Sequence, residues 1–239
     1  MSRIILGFHL TKKRKHIFTT SFVLISIAVI FSYIIIISGD NAGQLINSLM
    51  LSLFRLVSAY AISLVVATIV AIFISNSRFG DMMIPIFDLL QNIPSFALIP
   101  LFIYWFGYTN MMTIIFAATS ILWPILFYVL HSLKTVRREL DDAAKIFGAV
   151  GIKRVLYFLM PVAFPSLVTG SIVGFSIGWE AIIGVEIIGL ASGIGQFLNT
   201  PVGNNNNQIL GISALLIIVF LINRLIWMPL LRKSQLYAA

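Results

Sequence analysis

DAAKIFGAVGIKRVLYFLMP, residues 142–161, lies in a basic segment between two long apolar runs. Asp141 and Asp142 stand where carboxylates can cap a short helix and favour its positive end. Gly148 and Gly151 are residues that let a chain turn out of one. Together they predict a helix of about two turns. Ala143, Ala144, Phe147 and Gly148 recur three to five residues apart, roughly on one face, which gives a shallow surface with one aromatic projection. Pro161 has no amide proton and suits the first turn of the apolar helix that follows. A push on the short helix would then pass through a firm joint into that long one.

The apolar runs on either side decide the fold class. Hydrophobic residues make up 59% of the 239-residue chain, charged residues 10%, and the mean hydropathy is +1.03. Ordinary soluble domains are nearer half apolar and a quarter charged. Backbone amides in hydrocarbon must be satisfied within the chain, so the spans are expected to be helices. Six are predicted, at about 16–38, 46–75, 82–106, 111–132, 161–188 and 208–231. The result is an all-α, polytopic membrane protein, one transmembrane domain over residues 1–239, with a core at about 46–231 and a cytoplasmic loop at about 133–160. The first run follows Lys12-Lys13-Arg14-Lys15 but lacks a small-x-small cleavage site, and it reads as an uncleaved span.

Charge placement orients the chain. Of the 16 Lys and Arg residues, those in loops fall before the first span, at Arg78, from Lys134 to Arg154, and at Arg232 and Lys233. All of these are on one side of a six-span arrangement. The positive-inside rule puts that side, with both termini, in the cytoplasm. The net charge of +8 is therefore accounted for by topology rather than by nucleic acid. The absence of cysteine removes disulfides, thiolate metal sites and cysteine nucleophiles together. No Gly-x-x-x-x-Gly-Lys-Ser/Thr loop occurs, so usual P-loop ATP binding is not expected on this chain.

Two spans are irregular or closely packed. Pro85, Pro94 and Pro100 interrupt the third, and broken helices at membrane depth border protein or a water-filled path. Asn92, Pro94 and Pro100 are thus candidates for the path, the alternative being a kinked packing helix. In the fifth span Ser166, Gly170, Gly174 and Gly178 recur every fourth residue, a stripe that admits a neighbouring helix. Gly174-x-Ser176-x-Gly178 also spells a hydrolase elbow, which requires a strand-turn-helix setting not expected here.

Arg55, Asp88, Glu180, Glu186 and Arg224 fall inside predicted spans, where a lone charge is costly and a partner or water is expected. Depth along each helix matches Arg55 with Glu180, and Asp88 with Arg224; snorkelling to the nearer interface is the alternative to both pairs. Glu186, near the outer surface, reads as a hinge, gate or docking residue. Trp179 and Glu180 join the candidate path.

The spacing in residues 142–161 resembles the EAA loop of permease subunits of ATP-binding-cassette importers. That pattern is Glu-Ala-Ala, three residues, Gly, nine residues, then Ile-x-Leu-Pro. This chain fits at every position, with Asp142 for Glu, Phe158 for Ile and Met160 for Leu. Asn92-Ile93-Pro94, Ile99-Pro100-Leu101 and Trp105-Phe106-Gly107 look like the third span of the nitrate, sulfonate and taurine permease group. Pro165, Gly170, Trp179, Glu186, Gly189 and Gly193-Ile194-Gly195 are similar to its fifth span and outer loop.

The resemblance implies the type I importer permease fold and a non-enzymatic role. Asp141, Asp142, Ala143, Ala144, Phe147, Gly148 and Pro161 would couple the path to two copies of a separate ATPase subunit. ATP and magnesium would bind there, and this chain would hold no cofactor or metal. A second permease copy, an extracytoplasmic solute-binding protein and the bilayer of the cytoplasmic (inner) membrane complete the expected partners. Two alternatives remain for the residues taken alone. One is a gradient-driven carrier or channel using Asp88, Glu180 and Glu186; the other is an amphipathic loop helix resting on lipid headgroups.

Overall fold

The computed structural model describes residues 42–77, 80–136, 138–199 and 205–235, together with Ser32. The first predicted span and the basic run before it lie outside these residues, Ser32 apart. The described elements are all helical. They are α1 (Ala42–Asn76), α2 (Gly80–Gln91), a 3-10 turn (Ser95–Leu98), α3 (Ile99–Phe106), α4 (Asn110–Lys134), α5 (Arg138–Ile146), α6 (Ile152–Arg154), a π-helical turn (Val155–Leu159), α7 (Met160–Ile188), α8 (Ile194–Leu198), α9 (Asn205–Ile222), a second π-helical turn (Asn223–Trp227) and α10 (Met228–Ser234).

Four helical stretches are long and apolar enough to cross a membrane: Ala42–Asn76, Asn110–Lys134, Ile152–Ile188 and Asn207–Ser234. A fifth span exists if Met82–Gln91 and Ser95–Phe106, bent through 81°, count as one. The described residues thus hold up to five of the six predicted spans. The break falls at two of the three prolines: Pro94 caps the 3-10 turn and Pro100 occupies the first turn of α3, whereas Pro85 lies inside α2 and does not interrupt it.

The fifth predicted span starts at Ile152 rather than at Pro161. Proline lacks the amide proton and its ring clashes with the carbonyl four residues back. Here the turn ahead of Pro161 widens to π, and the Met160 N–H reaches the Val155 carbonyl. The same solution appears before Pro229, where the Met228 N–H reaches Asn223. A Met-Pro pair at each site is therefore absorbed without ending the helix.

The core forms where α1, α4 and α7 meet. One stripe of α1 buries Leu45, Leu49, Leu56, Ala59, Ala67 and Ala71, and α4 contributes Phe116, Ile121, Ile125 and Val129. The small-residue stripe of α7 does what its spacing predicts. A Cβ added at Gly170 would lie 3.0 Å from the Ile125 Cα, and one at Gly174 3.0 Å from the Ile121 carbonyl oxygen. Backbones approach directly, which replaces the missing hydrophobic drive between helices in lipid. The Ser63 hydroxyl donates to the Ala118 carbonyl at 2.7 Å and ties α1 to α4. Tyr60, Phe175 and Trp227 pack edge-on, with centroids 5.5–5.9 Å apart, and fasten the second π turn to α1 and α7. Gly174-x-Ser176-x-Gly178 lies within continuous helix, so the elbow geometry is absent.

Candidate functional site

Two polar assemblies stand out, one at each end of the bundle. The first is built on α5. This helix begins at Arg138, so neither Asp141 nor Asp142 is its cap, in contrast to what their spacing suggests. Glu139 and Asp141 lie in its first turn, where negative charge suits the dipole. The C-terminal end follows the Schellman pattern. The Gly148 N–H donates to the Lys145 carbonyl at 2.9 Å, and the Ala149 N–H reaches back to Ala144 at 2.9 Å. Gly148 has φ +83°, the left-handed region that glycine enters without a side-chain clash.

This turn holds an apolar knob in the open. Phe147 is 89% exposed and Ile146 84%, with Val150 and Ile152 also exposed and Ala143 and Ala144 half-buried. The face predicted from spacing contains Phe147 but not Ile146, Val150 or Ile152. Helical spacing from Ala143 finds Phe147 and passes over Ile146, which ends the same helix; Val150 and Ile152 follow the reversal at Gly148 and Gly151. Pro161 directly follows the first residue of α7, but the membrane helix runs on continuously from Ile152, so the proline does not open the span as expected.

Ion pairs fix the orientation of α5. The Asp141 carboxylate accepts from Arg154 Nε at 2.6 Å and Lys145 Nζ at 2.8 Å, and Asp142 accepts from Lys145 at 3.0 Å. Burial alone would raise the Asp141 carboxyl, but the hydrogen bonds and charges of Arg154 and Lys145 outweigh it and hold it below the usual carboxylate range. Hydrogen bonds to Asp141 and Asp142 raise Lys145 above the usual lysine value. The signs set a pH window. A depressed carboxyl stabilises above its unfolded value and loses that contribution as pH falls through the folded one; a raised lysine loses its contribution only as pH rises past the folded value. The melting temperature of wild type relative to Asp141→Asn should therefore be constant from about pH 5 to 9 and converge below about pH 4, as followed by thermal unfolding in detergent.

The second assembly is at the opposite end of α7. Arg55 and Glu186 form a fully buried ion pair, NH1 to Oε1, at 2.5 Å. Arg55 also donates from Nε and NH2 to the Asn110 Oδ1, from NH1 to the Ser192 carbonyl at 3.0 Å, and from NH2 to the Ser192 hydroxyl at 2.7 Å. All five guanidinium protons are used. Glu186 accepts from the Ser52 hydroxyl on both oxygens, at 2.7 and 2.9 Å, and from the Gly195 N–H at 2.8 Å. Ser52 in turn accepts the Ile194 N–H at 2.9 Å. A Cβ at Gly193 would collide with the Glu186 carboxylate, and one at Gly195 would come within 2.6 Å of the Glu186 Cβ. Only glycine lets the turn between α7 and α8 close over the pair.

This corrects the depth-based pairing of Arg55 with Glu180. Glu180 is on an exposed face of α7, whereas Glu186 is covered by the turn 189–195 folding back. Glu186 is thus a buried counter-ion rather than a residue at the outer surface. The pairing of Asp88 with Arg224 rests on depth alone. Asp88 is exposed and its carboxylate accepts from the Gln91 amide at 2.5 Å, while Arg224 is half-buried in the second π turn. Asn92 donates to the Asp88 carbonyl at 2.6 Å and helps end α2 before Pro94. Trp179 is buried, with its indole N–H unpartnered among the described residues, beside a cavity of about 240 Å³ that Phe175, Asn223 and Trp227 also line. Ser52, Asn110 and Ser192 escape a reading of the sequence. Nothing local marks them, because their partners are on other helices.

Relatives of this chain are transport permeases. Over 134 residues, 53% of this chain and 51% of the relative, the sequence is 33% identical to the putative aliphatic sulfonates transport permease protein SsuC of Escherichia coli (strain K12). It is 29% identical to the taurine transport system permease protein TauC of the same organism, over 58% of this chain and 51% of that one. It is 24% identical to the nitrate import permease protein NrtB of Leptolyngbya laminosa, over 59% and 52%. The chain spans about half the length of these relatives. The model of the family described as binding-protein-dependent transport system inner membrane component matches residues 59–231. That match runs from the middle of α1 into α10 and takes in α5, its ion pairs and Asn110, Glu186, Ser192 and Gly195 of the second assembly, while Ser52 and Arg55 lie just before it; the chain belongs to this family of inner membrane transport components, which are not themselves enzymes.

Proposed function

We propose that the chain is the permease subunit of an ATP-driven importer and that α5 is the helix by which a separate ATPase subunit moves the membrane path. The observation that carries this reading is the apolar knob of Ile146, Phe147, Val150 and Ile152, raised on a capped helix and braced by Arg154. Exposed aromatic and aliphatic side chains on a rigid mount match a helix-in-groove partner. Six spans, cytoplasmic termini and a working unit of two permease and two ATPase copies complete the proposal. ATP and magnesium would be held by the ATPases.

An external solute-binding protein would deliver solute at the end where α8 (Ile194–Leu198) lies. Closure of the ATPases would shift α5 and open the path outward; hydrolysis would reset it. Nucleotide can shift this equilibrium only through contacts that differ between the two states, and α5 would supply them. Asn92, Pro94, Pro100, Trp179 and Glu180 are proposed for the path or its gates. The relatives named for sulfonates, taurine and nitrate support a small anion as the solute.

A gradient-driven carrier would need carboxylates free to exchange protons or cations. Glu186 is fully engaged by Arg55, Ser52 and Gly195, which argues against that use. The test is co-purification and reconstituted uptake. Wild type should retain an ATPase chain and accumulate solute only with ATP, and Phe147→Asp, which touches only an exposed side chain, should release the ATPase. Uptake driven by a proton gradient with no ATPase present would defeat the proposal.

A further inference from the structure

Arg154 joins three elements. Its Nε donates to Asp141 of α5 at 2.6 Å, and its NH1 donates at 2.7 Å to the Oδ1 of Asn76, the last residue of α1. Its own backbone starts the rod that continues as α7. The last turn of α1 contains no basic residue, so the negative end of a 35-residue helix dipole is met by a cation from another element.

The covalent route from α5 to α7 is an indirect one. It passes through Gly148 and Gly151, both at positive φ, and then through the π-helical turn Val155–Leu159. The link from α5 to α1, by contrast, is two short hydrogen bonds on one planar guanidinium, which has little freedom to change the angle between them. A cavity of about 270 Å³, lined by Leu133, Val136, Asp141, Asp142, Lys145, Arg154 and Leu159, leaves the side chain room to follow α5 when it moves. The Arg154 and Asp141 side chains are 25% and 18% exposed.

We propose that Arg154 is a positioning residue that divides the displacement of α5 between α1 and α7, so that one docking helix drives two membrane helices. This rests on the docking role proposed for α5. The α1 arm of the device is Asn76 and the α5 arm is Asp141. Because α1 also holds Arg55 and Ser52 at its other end, movement at Asn76 is delivered along a continuous helix to the buried Arg55–Glu186 network.

The test uses the full chain reconstituted with its ATPase and binding protein. Asn76→Leu cuts only the α1 arm, leaves the Arg154 brace on α5 in place, and should fold, retain the ATPase and continue to hydrolyse ATP, while solute taken up per ATP falls about tenfold, as expected for an allosteric coupling of ordinary size. Arg154→Met removes both arms and should lose at least as much uptake per ATP, with the double variant no worse than Arg154→Met. The chain has no cysteine, so a single Phe73→Cys on the exposed face of α1 can be labelled on this subunit. Its labelling rate should respond to ATP in the otherwise wild-type chain, and the response should vanish in both variants. If uptake per ATP and the labelling response survive in Asn76→Leu, the division of movement is wrong and the docking role of α5 stands. If the unaltered chain retains no ATPase, both are wrong. Should Arg154→Met fail to fold, Asn76→Leu alone decides between these outcomes.

Discussion

Glu186→Ala is expected to cost about 3–5 kcal/mol of stability, the ordinary effect of removing one partner from a buried ion pair. Arg55 is fully buried and all its protons are directed at fixed acceptors. Without the carboxylate its charge would be left in a low-dielectric interior, and the Ser52 hydroxyl and Gly195 N–H would lose their acceptor. Gln is not a neutral replacement. Both carboxylate oxygens accept, so the amide nitrogen of Glu186→Gln would face a donor in either orientation. The double variant Arg55→Met with Glu186→Met should be less destabilised than Glu186→Ala, because it leaves no unpaired charge behind. Thermal unfolding of the purified protein gives the order, and a double variant that melts below Glu186→Ala would refute the account.

Gly148→Val is expected to abolish ATPase retention while leaving the membrane core folded. A residue with a side chain at φ +83° is strained, by about 1–2 kcal/mol for an ordinary residue and more for a β-branched one. Space is not the obstacle, since a Cβ there meets nothing within 4 Å. Relief would come from unwinding the end of α5, which would disperse Ile146 and Phe147. Loss of a docking geometry by about 1–3 kcal/mol corresponds to roughly 5–150-fold in coupled affinity. Asn enters the left-handed region more readily than other residues with side chains, so Gly148→Asn should retain most of the ATPase. Equal retention by Gly148→Val and wild type, measured by pull-down, would show that the turn is not needed.

The two assemblies differ in how far they can be read from sequence. The α5 turn is local. Helical spacing and the left-handed tolerance of glycine act within about twenty residues, so the short helix, its glycine turn and Phe147 are legible even though the helix begins at Arg138 rather than at the aspartates, whereas the exposure of Ile146, Val150 and Ile152 is not. The Arg55–Glu186 network is not local. Depth along a helix places Arg55 opposite Glu180, yet Glu186 is six residues further on, about 9 Å along the axis and roughly 240° around it. What depth does not include is the fold-back of residues 189–195, which makes buried interior of a position that looks like helix end. Gly193-Ile194-Gly195 is the available signal: two glycines flanking one apolar residue permit the approach, but do not name the carboxylate approached.

Composition and periodicity by themselves determined that this is a helical membrane protein with a proline-broken helix pair, a small-residue helix seam and a short helix ended by a glycine turn, because each of those properties is set by residues within a few turns of one another. The tertiary structure alone decided which charges meet. Partner choice in a bundle depends on helix rotation and on which loop covers the end, and both are settled by the packing of α1, α4 and α7 against each other rather than by any one segment.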